Sequence, residues 1–302
     1  MNSSIAPAIE TGNKLRTGRI VAVFSRRYLV EGNDGVLLAC MPKGRKLAYA
    51  CGDRVAYSLS GSDQGLIESV DPRSTLFVRS DSYRTKLIAA NVTQLVMLVA
   101  AEPSFSLEFI DRAMVAARSQ RIPALIAFNK SDLAAQAVAA FASLACYRAI
   151  GYRVIALAAK HDCTPLLSHL RGKVSLLLGQ SGMGKSTLVN ALAADANAAT
   201  REISSALDSG KHTTTHARLY HIDENSDLID CPGMQEFGLC HLPFRELEHG
   251  FAEFDSLLGN CRFSNCRHLN EPDCAIRAAL AAGRMTAQRY ASFRAIAAEV
   301  RE

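Results

Sequence analysis

The sequence predicts a multidomain α/β chain: an N-terminal OB-type β-barrel, a circularly permuted P-loop domain, and a C-terminal helical domain that binds metal. Three observations carry this prediction. Five short strand patterns, separated by Gly, Asn, Asp and Pro, fill the stretch from Arg19 to Val70. A complete G-x-x-x-x-G-K-[ST] loop runs from Gly179 to Ser186, and an N-K-x-D tetrapeptide that ordinarily follows such a loop instead precedes it, at Asn129 to Asp132. Three cysteines and one histidine crowd between Cys261 and Cys274. A chain of 302 residues has room for two to three domains. The expected bounds are a flexible terminus over 1–14, the barrel over 15–72, the permuted domain over 73–243 and the metal domain over 244–302. Asp71 to Thr75 reads as a linker, and Leu242-Pro243 as the entry to the last domain.

The barrel strands are Arg19–Phe24, Arg27–Val30, Gly35–Ala39, Arg54–Tyr57 and Gly65–Val70. Short β-rich runs with turn residues between them suit a small barrel of the OB type. Between residues 14 and 60, nine Lys or Arg face three acids, against +5 for the whole chain. The barrel therefore holds the entire cationic surplus, which fits a phosphate backbone as partner; Lys43, Arg45 and Lys46 lie in the loop expected to touch it.

In the permuted domain, Val174–Leu178 reads as a buried strand and Lys185–Leu192 as a helix, so the glycines occupy a strand-to-helix turn. Gly179, Gln180, Ser181, Gly182, Met183 and Gly184 are expected to wrap the phosphates with backbone N–H groups at the helix N-terminus, with Thr187 one turn position beyond. Lys185 is expected to reach the β- and γ-phosphates and Ser186 to ligate Mg²⁺. Asn129, Lys130, Ser131 and Asp132 follow the apolar run Ile122–Phe128, at the strand end where ligands sit in doubly wound sheets. A carboxylate there accepts from the N1–H and N2–H₂ edge of guanine, whereas adenine would leave it unpaired. Ala158, Ala159 and Lys160, after the strand Arg153–Leu157, fit a second base-contacting loop.

Asp230-Cys-Pro-Gly233 matches D-x-x-G, with Asp230 holding Mg²⁺ through water and the Gly233 N–H meeting the γ-phosphate. Upstream, Gly210–Thr215 offers Thr214 or Thr215 to close over Mg²⁺. The position after Gly233, a water-orienting glutamine in Ras-like enzymes, is Met234, which cannot serve. His212 is the candidate to take that part, since a neutral imidazole accepts from water; a solvated loop histidine is the alternative. His212, Lys185, Thr214 and Thr215 are thus the catalytic candidates, with slow intrinsic hydrolysis expected.

Cys261, Cys266, His268 and Cys274, spaced C-x₄-C-x-H-x₅-C, form a closed tetrahedral set for one structural zinc. The other six cysteines are dispersed. No export signal and no long apolar run is visible, so the expectation is a monomer in a reducing cytoplasm, away from membranes. Ala134–Ala149 reads as one alanine-rich helix. Ala275–Glu302 reads as helical, with its arginines mostly on a solvated face.

The permuted order together with the cysteine cluster resembles the RsgA (YjeQ) family, circularly permuted GTPases of small ribosomal subunit assembly. The matching residues are Asn129–Asp132, Gly179–Ser186, Gly210–Thr215, Asp230–Gly233 with Glu236-Phe-Gly, and Cys261–Cys274. The resemblance implies a barrel, GTPase and zinc-domain architecture and a role late in small-subunit maturation. It further implies rRNA contact through the barrel and zinc domains, and hydrolysis of GTP to GDP and phosphate stimulated by the subunit. Three other classes are carried beside it: a module holding GTP or GDP without turnover, a P-loop kinase or ATPase, and an RNA scaffold with a vestigial loop.

Overall fold

The computed structural model describes residues 15–24, 27–44, 48–61, 64–81, 83–193, 217–232, 234 and 236–300. Five N-terminal strands form first: β1 (Arg16–Val23), β2 (Tyr28–Gly32), β3 (Leu37–Pro42), β4 (Arg54–Leu59) and β5 (Gln64–Val70). They pair in the order β1-β2-β3-β5-β4, and β4 returns to β1, so the sheet closes on itself. Closure removes the free edges that five short strands would otherwise expose. Ile20, Val30, Leu38, Val55, Tyr57 and Ile67 fill the interior. Of the basic loop, Lys43 is described and pairs with Glu68, while Arg45 and Lys46 lie outside the described residues.

A register shift between Ile20 and Ala22 lets β1 serve two cores. Ile20 faces the barrel interior, while Val21 and Ala22 belong to the large core of the next region. The stretch predicted as a linker is pinned. Arg73 makes a two-pronged pair with Asp53 at 2.7 Å and 2.7 Å and donates to the Ala48 carbonyl. Asp53 is fully buried, so this ion pair fixes how the barrel leads into the next segment.

That segment opens with a hairpin, β6 (Leu76–Ser80) and β7 (Thr85–Ala90), which forms its own two-stranded sheet. Then come β8 (Gln94–Ala100), α1 (Leu107–Ser119), β9 (Ala124–Asn129), α2 (Ala134–Ala142), α3 (Ala145–Ala149), β10 (Arg153–Ala156), α4 (Thr164–Leu170), β11 (Val174–Leu178), α5 (Lys185–Leu192), β12 (Arg218–Asp223) and β13 (Ser226–Asp230). Strands β10, β9, β8, β11 and β13 run parallel in that order, and β12 joins antiparallel. Every residue of β8 is buried, as an inner parallel strand covered on both faces requires.

The single helix expected over Ala134–Ala149 is instead two. The Ser143 hydroxyl donates to the Ala140 carbonyl at 2.7 Å, competing with the helical ladder, and Leu144 turns fully into the core.

After β13 the chain enters α6 (Phe244–Gly250), a 3₁₀ turn (Ala252–Phe254), α7 (Ala275–Ala281) and α8 (Ala287–Ala297). The C-terminal stretch is likewise interrupted, at Gly283 with φ +70°, and Thr286 caps the restart by accepting from the Arg289 N–H. α6 packs close on α1; a Cβ at Gly250 would stand 2.7 Å from Val115. Arg289 is not on a solvated face as expected. It is 2 % exposed, held by Asp111 of α1 and by Glu253. A guanidinium can be buried at modest cost only when its donors meet carboxylates, and here they do.

Candidate functional site

The parallel sheet brings the two separated nucleotide motifs together at its carboxyl end. Asn129 closes β9, and its side chain is buried. Its amide donates to the Met183 carbonyl at 2.9 Å, and its oxygen accepts from the Ala159 N–H at 2.9 Å. One side chain thus ties the Gly179–Ser186 loop to both segments predicted to hold a base. Ser131 adds to this by donating to the Leu157 carbonyl at 3.0 Å. Lys130, in the left-handed region at φ +56°, lays its ammonium on the carbonyls of Glu102 and Gly182.

Two glycines of the loop are forced by space. A Cβ on Gly179 would stand 2.6 Å from the Leu98 carbonyl, and one on Gly184 would stand 2.3 Å from the Asn129 amide nitrogen. Gly184 also has φ +91°, which side-chain-bearing residues rarely adopt. Met183 puts its side chain into the core, where it is 1 % exposed, which leaves its backbone for the loop. Gln180 reaches out of the loop to accept from the Ser106 N–H, the residue that caps α1. Ser181 and Ser186 are exposed and Thr187 is half-buried.

Lys185 is buried at the start of α5 and donates to the Gly179 carbonyl at 2.7 Å. Burial pushes its pKa down, against the pull of Asp230. Asp230 ends β13, and its Oδ1 is buried without a hydrogen-bond partner. Burial pushes its carboxyl up to about 6, although Lys185 acts in the opposite direction. Orphaned buried carboxylate oxygens are unusual. With the exposed hydroxyl of Ser186, this one makes a donor set suited to a hard cation that takes oxygen ligands, so the residues present fit Mg²⁺.

Asp132 and Lys160 are exposed at the mouth of this region, and Ala158 pairs with Asp162 to close a tight loop. The His161 ring lies 3.8 Å from the Asp132 carboxylate. Met234 is half-buried against the main core and presents no polar group. His212, Thr214, Thr215 and Gly233 lie outside the described residues.

The second site is the Cys–His cluster. The ligand atoms of Cys261, Cys266, His268 and Cys274 all lie within 4.8 Å of one another. His268 turns Nδ1 toward the sulfurs, at 3.4 Å from Cys274 and 3.5 Å from Cys261. Its Nε2 lies 2.7 Å from a carboxylate oxygen of Glu248 on α6. Three thiols and an imidazole oriented by a carboxylate fit a tetrahedral zinc with an outer partner for its histidine. His268 and Asp273 adopt left-handed backbone at φ +62° and φ +53°. Tyr290 of α8 donates to the His268 carbonyl at 2.7 Å. Glu271 accepts from the amides of Arg267, Leu269 and Asn270; burial raises its pKa, but the amides outweigh burial and hold it at about 2.

Glu248, Tyr290, the bond from the Ser106 N–H to the Gln180 side chain and the bridging geometry of Asn129 escaped the sequence reading. Glu248 is twenty positions from His268 and looks like any helix-surface acid; the one available signal was the rule that metal-bound histidines seek a carboxylate.

Comparison with known proteins agrees with this geometry. The family model described as RsgA GTPase matches residues 70–240. The chain is 48 % identical over 289 residues to the small ribosomal subunit biogenesis GTPase RsgA of Nitrosospira multiformis, covering 96 % of this chain and 92 % of that protein. It is 48 % identical over 287 residues to the protein of the same name from Nitrosomonas europaea, covering 94 % and 91 %. Among solved structures it is similar to YjeQ from Thermotoga maritima, with TM-score 0.70, 28 % identity, and 95 % and 98 % of the two chains covered. Its fold also matches YloQ, a circularly permuted GTPase, with TM-score 0.67, 24 % identity and 97 % of each chain covered.

Proposed function

The chain belongs to the RsgA GTPase family, and from that premise we propose that it hydrolyses GTP to GDP and phosphate as a switch in late maturation of the small ribosomal subunit. The observation that carries the nucleotide reading is the Asn129 side chain, which joins the phosphate loop and both base loops into one rigid cradle. In this reading Asp132 accepts the N1–H and N2–H₂ edge of guanine, and its exposed carboxylate supports that role. Loop amides from Gly179 to Gly184 hold the phosphates, and Lys185 leaves its carbonyl partners for the β- and γ-phosphate oxygens. Ser186 and Asp230 would hold Mg²⁺, which would neutralise phosphate charge at this end of the loop.

For the water we propose His212, with Thr214 or Thr215 closing the first switch and the Gly233 N–H facing the γ-phosphate. Met234, apolar and half-buried, supports a slow intrinsic reaction that a partner completes. The assignment to the small subunit comes from the names of the relatives. The basic barrel and the arginine-bearing zinc region support contact with rRNA through 15–72 and 244–302, flanking a nucleotide region over 73–243. We place the protein in the cytoplasm as a monomer; no helix among the described residues is long and apolar enough to cross a membrane.

The test is GTP hydrolysis at moderate salt, alone, with purified small subunits and with large subunits. Stimulation of about 10²-fold or more by small subunits alone is expected, as for partner-completed GTPase sites. Tight GTP binding with no stimulation would remove the ribosomal part of the proposal.

A further inference from the structure

Beside the Cys–His cluster is a hollow of about 440 Å³, whose wall includes Arg245, Leu258, Arg262, Phe263 and Ser264. Phe263 is the unusual residue. It is 42 % exposed, and among the described residues it joins none of the three hydrophobic cores. It occupies the apex of the turn between Cys261 and Cys266, and the Cys266 N–H donates back to its carbonyl at 3.2 Å. Because both ends of the turn are cluster residues, the ring is presented on a short, fixed loop. Ordering a contact there costs little further chain entropy.

The charged groups around the ring are asymmetric. Arg262 lies over the Phe263 ring at 5.5 Å and pairs with Asp273, but both partners are well exposed, so water leaves that pair weak. Arg245 is exposed on the same wall. The acid on that wall, Glu248, is occupied by His268. What the hollow offers is therefore an aromatic face with two guanidinium groups at its rim. A base and its phosphate present the complementary pair, a π-face beside a negative charge.

We propose that this hollow takes one unpaired nucleotide of single-stranded RNA, its base stacked on Phe263 and its phosphate held by Arg262 and Arg245. The inference rests on the reading of the C-terminal region as RNA-contacting and names the form of RNA it takes. The interior of duplex RNA is excluded by geometry, since the faces of its bases are covered by the neighbouring base pairs. An acidic peptide would use the arginines and leave the ring without purpose.

The full chain loaded with zinc is tested against a single-stranded oligouridylate of about ten nucleotides carrying 4-thiouridine, and against a duplex of equal length. Tighter binding of the single strand is expected, with the photo-adduct mapping to the Cys261–Cys266 peptide. Phe263→Ala should abolish that adduct and lower its site's affinity about 10-fold, within the range for one stacked base, without changing the salt slope. Phe263→Trp should restore both, and Arg262→Ala should reduce the salt slope by about one contact. Adducts confined to other regions, or one at Cys261–Cys266 that is unaffected by Phe263→Ala while RNA still binds, overturn the nucleotide site and leave Phe263 to a protein partner. Binding of neither RNA overturns the RNA reading of the region as well.

Discussion

Asp230 costs the nucleotide-free protein stability. A carboxylate held at about 6 by burial is ionised at neutral pH against its environment, a penalty on the order of 3 kcal/mol from the difference to an ordinary aspartate. Its Oδ1 has no partner to offset that penalty. Such strain persists where a ligand is meant to relieve it. Asp230→Asn should therefore raise the stability of the nucleotide-free chain by about 1–2 kcal/mol, as part of the desolvation cost is recovered. The same change should remove the gain in GTP affinity that Mg²⁺ provides. Chemical denaturation in a chelator and nucleotide titration with and without Mg²⁺ measure the two effects. Reduced stability with Mg²⁺ dependence intact would mean that Asp230 is a structural acid. The motif Asp230-Cys-Pro-Gly233 made this residue legible in sequence, but its energetic state was not, because that depends on what is packed around β13.

Strands and helices were read well where periodicity alone decides them. Val174–Leu178 and Lys185–Leu192 have the predicted bounds, and all five barrel strands are present. What escaped were joints made by single residues far apart in sequence. Strand β12 meets β1 through Ala22 and Arg218, and the Val23 N–H donates to the Ala217 carbonyl, so the barrel extends the edge of the nucleotide sheet. That seam is reinforced by charge. His221 of β12 bonds Asp227 of β13 at 2.6 Å and Glu31 of β2 at 2.8 Å, and Arg19 of β1 also pairs with Asp227. The bonds to Asp227 and Glu31 push His221 up to about 10, against the effect of burial. A raised folded pKa stabilises fully below about 6.5, the unfolded value, and the contribution is lost as pH rises toward 10. Because the ring is half-exposed, about 1 kcal/mol is a fair size. His221→Gln should thus cost about 1 kcal/mol at pH 6 and close to nothing at pH 10, as read by denaturant midpoints of the two proteins. Equal costs at both values would mean that the seam is held by its backbone bonds alone.

At the scale of the whole molecule, the permutation decides what moves together. The chain leaves β13 through Phe237, which is 1 % exposed and packs against Phe77 of the hairpin and Phe109 of α1. It continues directly into α6 and the Cys–His cluster, and the last helix then returns to α1. There Arg289 meets Asp111, while Arg112 of α1 makes a two-pronged pair with Glu299 and lies 3.4 Å from the Phe237 carbonyl. The apolar contacts agree: one continuous core runs from Leu95 through Phe237 and Phe251 to Val300, whereas the barrel keeps a small core of its own. The cluster and the nucleotide region therefore share a hydrophobic interior and should lose structure together. Zinc binding adds its free energy to whatever folds with it. Strong chelation should accordingly lower the melting temperature of the nucleotide region as well, and GDP should partly restore the melting temperature of the C-terminal helices. Hydrogen exchange on α8 and on β8, followed with and without a chelator, tests this reciprocity. Arg289→Met, which leaves the buried Asp111 without its cation, should cost about 3–5 kcal/mol and break the coupling, with α8 opening before β8. Exchange on β8 that stays constant while α8 melts in the unaltered protein would show two independent bodies and refute the shared interior.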